Sequence, residues 1–372
     1  MIGFEVSTNT IERICLGVGN DLEASASENW QGVLDGEPIV PQVAIVSYDG
    51  GRIRTRKTGC GPGVHLNGKG WNETKNAIFV SATSETSQTD PEPEPPKCFF
   101  NPEHVAKLTE MAKIKEKATE NDALPDKPEN KPRVKKTKRK HPKHKPKRIH
   151  RTLLSSMKNS KAFGEQMARE AKRRRFGEAA RKAFVGDGLT CNWSIHEEHF
   201  SDYTPILDFV HAVSYLYRAS IVCFGRSDTA WTTYTRWMTL TWQGKVSEVI
   251  KQLCEHQQSI GVAPKDVADD DPREQLRLVI QYLQNNRERM HYDEYRCAGL
   301  PTTSAWMESA VKEMNFRIKG TEMFWNNPEG AEAILQIRAA SLSDDDRLSR
   351  FLSRRPGIAT HRRDASIQSH AA

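Results

Sequence analysis

Three acidic residues stand where chemistry could be done: Asp49 at the end of the apolar run VAIVSYD, Asp187 at the end of FVGD, and Glu308 in SAWMESAVKEMNF. Singly they are ordinary. An aspartate followed by glycine, as in YDGG and GDGL, serves a turn or a helix cap more often than a ligand set. Together they offer hard oxygen donors, and two carboxylates ~4 Å apart repel by about 4 kcal/mol at an effective dielectric of 20, so convergence demands a cation. Mg2+ or Mn2+ suits such donors better than zinc, which favours imidazole and thiolate. Two such ions could activate water or a 3′-hydroxyl for in-line attack at phosphorus. Asp208 and His211, three residues apart at a predicted helix start, form an auxiliary pair that either orients a reacting group or satisfies the helix N-terminus. On the predicted helix from Ser304, Glu308 shares a face with Lys312, Asn315 and Lys319. That face either meets a phosphate backbone or is a solvated stripe stitched by a Glu–Lys pair four residues apart.

Strands and helices must carry these residues. VAIVSYD reads as a fully buried strand, GRIRTR as a second and NAIFVSAT as a third, joined by Gly-rich turns into a meander over residues 43 to 83. FVGD ends a fourth strand and PILDFV is a fifth, continued by the helix HAVSYLYRA. The helix bearing Glu308 has an apolar stripe of Met307, Val311, Met314 and Ile318. At the start of the chain, VSTNTIERICLGVG places Ile11, Ile14 and Leu16 at helical spacing behind Ser7 and Thr8 as caps. It looks like the second half of a helix-turn-helix whose first half would precede Met1, so it is expected to be a truncated copy or to serve only as packing. A basic helix is predicted over MAREAKRRRFGEAARKA, and residues 230 to 297 show long helical patterns in which Trp231, Tyr234, Trp237 and Trp242 read mostly as core. HEEH at 196 to 199 lacks zinc-protease spacing and is expected at the surface. The clusters 269 to 271 and 344 to 346 are expected to cap helices.

Charge is unevenly spread. The net charge is +7, yet KPRVKKTKRKHPKHKPKRIHR at 131 to 151 holds 12 Lys or Arg and no acid, which leaves the other 351 residues at −5. Such a block, interspersed with proline, cannot bury itself and attracts polyanions; from Ser84 to about Arg151 the chain is expected to be a mostly disordered insertion, with helical spacing only in PEHVAKLTEMAKIKEKA. Seven scattered cysteines without C-x-x-C spacing argue against a disulfide scaffold or a zinc knot and for a reduced, cytoplasmic compartment. No run approaches the ~18 apolar residues of a membrane span, and MIGFEVSTNTIER has no signal-peptide pattern.

Three strands, helical material, a fourth strand with an acid, a fifth strand and a carboxylate-bearing helix is the order of a ribonuclease-H-like core. The analogy predicts an α/β mixed sheet flanked by helices, with a helical insertion and a disordered basic insertion. Particular strings go further: YDGGRIRTR, W-x-E-x-K at Trp71 to Lys75, FVGDG, ILDFVHAVSYL, WQGKV, YLQNNRERMHYDEYR, GLPTTSAWMES, VKEMNFRIKGTEMFW and GAEAILQIRA. In this order, over most of residues 38 to 342, they resemble bacterial DDE transposases of the Kra-type insertion-sequence family, relatives of the Mutator-like group. The resemblance implies that Asp49, Asp187 and Glu308 are the catalytic, metal-holding triad and that Asp208 and His211 are its D-x-x-H pair. It implies seven segments: a remnant N-terminal helical region (1–37), core parts at 38–84, 152–229 and 301–342, the basic insertion (85–151), the helical insertion (230–300) and a tail (343–372).

The expected activity is Mg2+- or Mn2+-dependent cleavage of phosphodiesters at transposon ends, followed by strand transfer to target DNA by an oligomer of this chain in the nucleoid. Arg52, Arg54 and Arg56 beside the first acid, with Lys312, Arg317 and Lys319 near the last, are the candidate DNA contacts. The rival reading is a non-catalytic DNA-binding remnant of such an enzyme. A glycosidase fits poorly, because a sugar site gives no reason for the basic block.

Overall fold

A computed structural model of the chain describes residues 6–27, 40–56, 66–117, 141–261, 263–264, 268, 270–318, 325 and 328–355. Five strands form one mixed sheet in the order β3-β2-β1-β4-β5: β1 (Val43–Arg56), β2 (Leu66–Thr83), β3 (Lys147–Ser156), β4 (Arg181–Gly186) and β5 (Thr204–Leu207). β2 runs antiparallel to β1 and β3, whereas β4 is parallel to β1 and β5 parallel to β4. The middle of the sheet is β1, whose residues 43 to 49 are all buried, as the continuous apolar run requires of a strand covered on both faces.

Helices cover both faces. On one side lie α3 (Ser160–Arg173) and α4 (Thr190–His199), where Phe163 meets Tyr48 of β1 and Trp193 meets Phe184 of β4. On the other lie α5 (Phe209–Phe224), α10 (Ala305–Ile318) and α11 (Pro328–Leu342). Between α5 and α10 the chain forms α6 (Asp228–Trp242), α7 (Val246–Ile260), α8 (Pro272–Asn286) and α9 (Tyr292–Cys297), the expected helical insertion. Tyr234, Trp237 and Trp242 are core there, and Asp271 caps α8 through the amide of Arg273. Asp269 lies outside the described residues. The outer edge of β3 is partly occupied. Asp344 and Ser343 accept from the amides of Arg151 and Leu153 on β3, and the Asp344 amide donates to the Arg151 carbonyl. At the other edge β5 is four residues long and contains Pro205.

Several expectations are corrected. VAIVSYD and GRIRTR are one strand, so the meander is a two-stranded ribbon and the third strand comes at Lys147–Ser156, beginning inside the segment read as disordered and running past its end. Its first four residues are exposed, which accounts for their charge, while Arg151 to Ser156 are largely buried. The segment 84–117 belongs to the folded body: the Trp242 indole donates to the Glu92 carbonyl, the Tyr234 hydroxyl to the Phe99 carbonyl, and buried Arg296 clasps Asp90. Its helical part, α2 (Pro102–Lys117), is where the spacing put it. Residues 118–140, which include the first half of the basic block, lie outside the described residues. The basic helix is shifted, since α3 ends at Arg173 and residues 181 to 186 form β4.

At the start of the chain, α1 (Thr8–Ser27) packs on α11 through Val18 and Gly19, and Ile11 and Ile14 face outward. Packing on α11 is thus one role of this helix. Backbone contact rather than a stripe of large side chains made that face illegible: a Cβ on Gly19 would stand 2.4 Å from the Ala333 carbonyl oxygen. The residues taken for an appended tail include α12 (Arg347–Arg354), anchored where Arg347 meets Glu170 and Asp345. Asp344 and Asp345 clamp the sheet edge and Arg347 instead of capping this helix. His196 and His199 of HEEH are turned inward, His196 onto the Tyr203 carbonyl.

Candidate active site at the carboxyl edge of the sheet

Strand register places the site. In the β1–β2 ladder Asp49 is opposite Asn76, and in the β2–β3 ladder Asn76 is opposite Ser155, whose hydroxyl donates to the Asn76 side-chain oxygen at 2.8 Å. The β1–β4 ladder ends at Ser47↔Val185, and two further steps align Asp49 with Asp187. The β4–β5 ladder ends at Gly186↔Leu207, and one further step aligns Asp187 with Asp208, whose amide donates to the Gly186 carbonyl at 2.8 Å. A transverse row thus crosses the whole sheet: Ser155, Asn76, Asp49, Asp187, Asp208. Adjoining strands lie about 4.8 Å apart, so successive members of the row are neighbours. The three aspartates follow one another where the parallel pairing of β1, β4 and β5 ends, Asp49 within β1 and the other two just past their strands, near the usual location of ligand sites on open α/β sheets.

Each aspartate has a distinct environment. Asp49 is 9% exposed within β1. Asp187 is held by one oxygen: its Oδ1 accepts from the Leu189 amide (3.1 Å) and from the Asn192 side chain (2.6 Å). Asp208 is fully buried and uses both oxygens, Oδ1 accepting from the Val210 amide as the N-cap of α5 and Oδ2 from the Ser304 hydroxyl at 2.6 Å. The His211 ring nitrogen is 3.9 Å from that Oδ2, outside hydrogen-bond distance. Asp208 is therefore a clamp joining β5, α5 and the start of α10. Asp187 carries the freer carboxylate.

The third acid is brought in by α10. Ser304, just before the helix, is fastened to Asp208 beyond β5, and Glu313 forms two hydrogen bonds with Arg151 of β3, 3.1 and 3.0 Å long. Four strand intervals separate β5 from β3, roughly 19 Å, and nine residues of helix rise roughly 14 Å, the side chains making up the rest. The helix hence crosses the sheet face, packed against β1 and β2, with Met307, Ala310, Met314 and Ile318 beneath it. Val311, expected in that stripe, is half-buried, and Ala310 takes the buried position. Glu308 lies between the two anchors, at the flank of the buried stripe. Its carboxylate is 3.8 Å from the Lys312 ammonium, and its side chain is about one third exposed.

Positions 49, 187 and 308 thus belong to elements that meet at one edge, but their carboxylates are not gathered into one cluster. Among the described residues, no three His, Cys, Asp or Glu side chains are grouped to hold a metal ion. Mutual repulsion favours this arrangement, in which Asp187 and Glu308 each have a donor or cation of their own. Arg52, Arg54 and Arg56 alternate along β1 and so point to the face opposite Asp49, with the Arg54 guanidinium 4.9 Å above the Trp71 ring. They extend past the acid on the outer part of the ribbon, where Trp325 pairs with the backbone of Arg54 and Arg56. Lys312 is exposed on α10, while Lys319 and the side chain of Arg317 lie outside the described residues.

Sequence reasoning missed Asn76, Ser155, Ser304 and Tyr282, whose hydroxyl donates to the Asp187 main-chain carbonyl. Asn76 carried a usable signal, since asparagine is depleted in strand interiors and here opens the apolar run AIFV. Ser304 and Tyr282 carried none, because their partners are distant in the chain. Among the described residues no helix is long and apolar enough to cross a membrane. Comparison with protein-family models and with curated proteins returns no match to the chain.

Proposed function

We propose that the protein is a DDE-type DNA transposase on a ribonuclease-H-like core, cleaving phosphodiesters at transposon ends and joining the freed 3′-hydroxyl to target DNA. The observation that carries this reading is that Asp49, in the middle of β1, and Asp187, just past β4, lie side by side where the parallel pairing of the two strands ends, with the helix bearing Glu308 laid across the same face of the sheet. The strand order, with β2 alone reversed, supports the core.

The donor set fits Mg2+ or Mn2+: carboxylates alone, with the ordinary requirement being one or two of them plus water and substrate phosphate. Asp49 and Asp187 would hold the metal, with Glu308 completing the set from α10. Bound there, it would supply charge stabilisation at phosphorus and a nucleophile of lowered pKa. The chain's own contributions are positional. Asn192 and the Leu189 amide hold Asp187 by one oxygen and leave the other to act as a ligand. Lys312 is placed to neutralise Glu308 or to meet a phosphate beside it. Asp208 fixes where α10 starts.

Nicking of supercoiled plasmid with Mn2+ or Mg2+ tests the proposal. Asp49→Asn, which keeps the shape and removes the charge, is expected to reduce the rate by at least about a hundredfold, on the order seen when one essential electrostatic group is lost. Equal nicking by wild type and Asp49→Asn would defeat the assignment. DNA binding without nicking by the wild type would leave the non-catalytic remnant.

A further inference from the structure

The loop that carries Asp187 is held from outside the sheet. The Tyr282 hydroxyl, on α8 of the helical insertion, donates to the Asp187 main-chain carbonyl at 2.8 Å. Gly188 follows with φ +94°, and a Cβ built on it would stand 2.6 Å from the same hydroxyl, so the glycine is needed both for its conformation and for the approach of the ring. Tyr282 is itself held. Its ring stacks on Tyr215 of α5 with centroids 3.7 Å apart and planes 4° from parallel, and Asn286, nearly fully buried, donates to its carbonyl at 2.9 Å. Burial pushes the Tyr282 hydroxyl well above its ordinary range, helped by Tyr215 and the charges of Asp187 and Asp208, so it remains a donor at any physiological pH.

Resting on the functional reading above, we infer that Tyr282 is a positioning residue for the metal-holding carboxylate of Asp187, acting through the Asp187 carbonyl and the tight turn at Gly188. The helical insertion is thereby a structural part of the active site and not only an appendage to it. A group that orients a ligand without touching the metal typically changes affinity 10- to 100-fold when it is removed.

The test is a Mn2+ titration of the full chain followed by electron paramagnetic resonance, which needs no turnover. Tyr282→Phe removes a single hydroxyl and keeps the stack; it is expected to weaken Mn2+ binding by about tenfold while the melting temperature falls by no more than a few degrees. Tyr215→Phe, which also keeps the stack, is expected to bind Mn2+ within about twofold of wild type. Should Tyr282→Phe fail to fold, Gly188→Ala, which drives a methyl into the hydroxyl, is expected to give the same loss. The inference is overturned if Tyr282→Phe binds Mn2+ as wild type does, if Tyr215→Phe loses as much, or if the wild type binds no Mn2+ at this site. The nicking assay decides the functional reading separately: a protein that binds Mn2+ in the predicted pattern but nicks no DNA retains this positioning role and loses the transposase assignment.

Discussion

Arg347 shows how strongly single residues tie distant parts of this chain together. It reaches Glu170 on α3 at 2.8 Å and Asp345 at 2.6 Å, and all three side chains are largely withdrawn from water. Burial alone would raise the Asp345 carboxyl, but the hydrogen bonds and charge of Arg347, with Arg174 and Arg173 behind it, outweigh that and hold it at about 2. Glu170 is lowered in the same way, its burial outweighed by Arg347 and Arg173. Both groups have folded values below their unfolded ones, so the stability they lend is complete above about pH 5 and is lost as pH falls towards 2. For Asp345 this amounts to about 2 kcal/mol. Replacing Arg347 by Met leaves two buried acids short of a partner. Urea denaturation at pH 7 is expected to show a loss of about 3 kcal/mol, and the fall in stability between pH 5 and 2 should become shallower. A variant as stable as wild type at both ends of that range would show that the remaining arginines suffice.

At the level of elements, what was legible follows from what holds each one. Strands buried on both faces, such as VAIVSYD and AFVG, announce themselves as apolar runs, and α10 does so by its stripe of Met307, Met314 and Ile318. β3 did not, because half of it is an exposed, charged edge and its buried arginine, Arg151, reads as surface until its partners Glu313 and Leu342 are seen. The three acids were picked out as ends of apolar runs and on the helix, although Asp49 proves to lie in the middle of β1. Which aspartate keeps an oxygen open was not, since it depends on Asn192 and Ser304. α1 was legible as a helix and illegible as to its buried face, because Gly19 offers only backbone. Gly19→Val should therefore push α1 from Ala333, at a cost of about 1–3 kcal/mol. Amide exchange over residues 8–27 is expected to rise at least about tenfold while β1 and β4 keep their protection. Unchanged exchange would mean that the two helices can separate slightly at no cost.

For the molecule as a whole, the arginines of the ribbon and the acidic edge are two separate surfaces. Arg52, Arg54 and Arg56 lie on one face of the ribbon, beyond the acids and turned away from them. If they track a phosphate backbone, each contact contributes about 0.9 to the slope of log affinity against log salt. The triple change of these arginines to Gln is expected to flatten that slope by about 2 to 3 on duplex DNA and to leave its sequence preference unaltered. An unchanged slope would place the DNA elsewhere. Assembly is constrained as well. Asp344 and Ser343 occupy outward-facing backbone groups of β3, and at the far side Pro205 lacks an amide in a strand of four residues. Over these stretches another chain finds few free backbone groups to pair with, which blunts the commonest route from a sheet to fibrillar aggregates. Copies of this protein that come together are not expected to do so by pairing strands over these stretches.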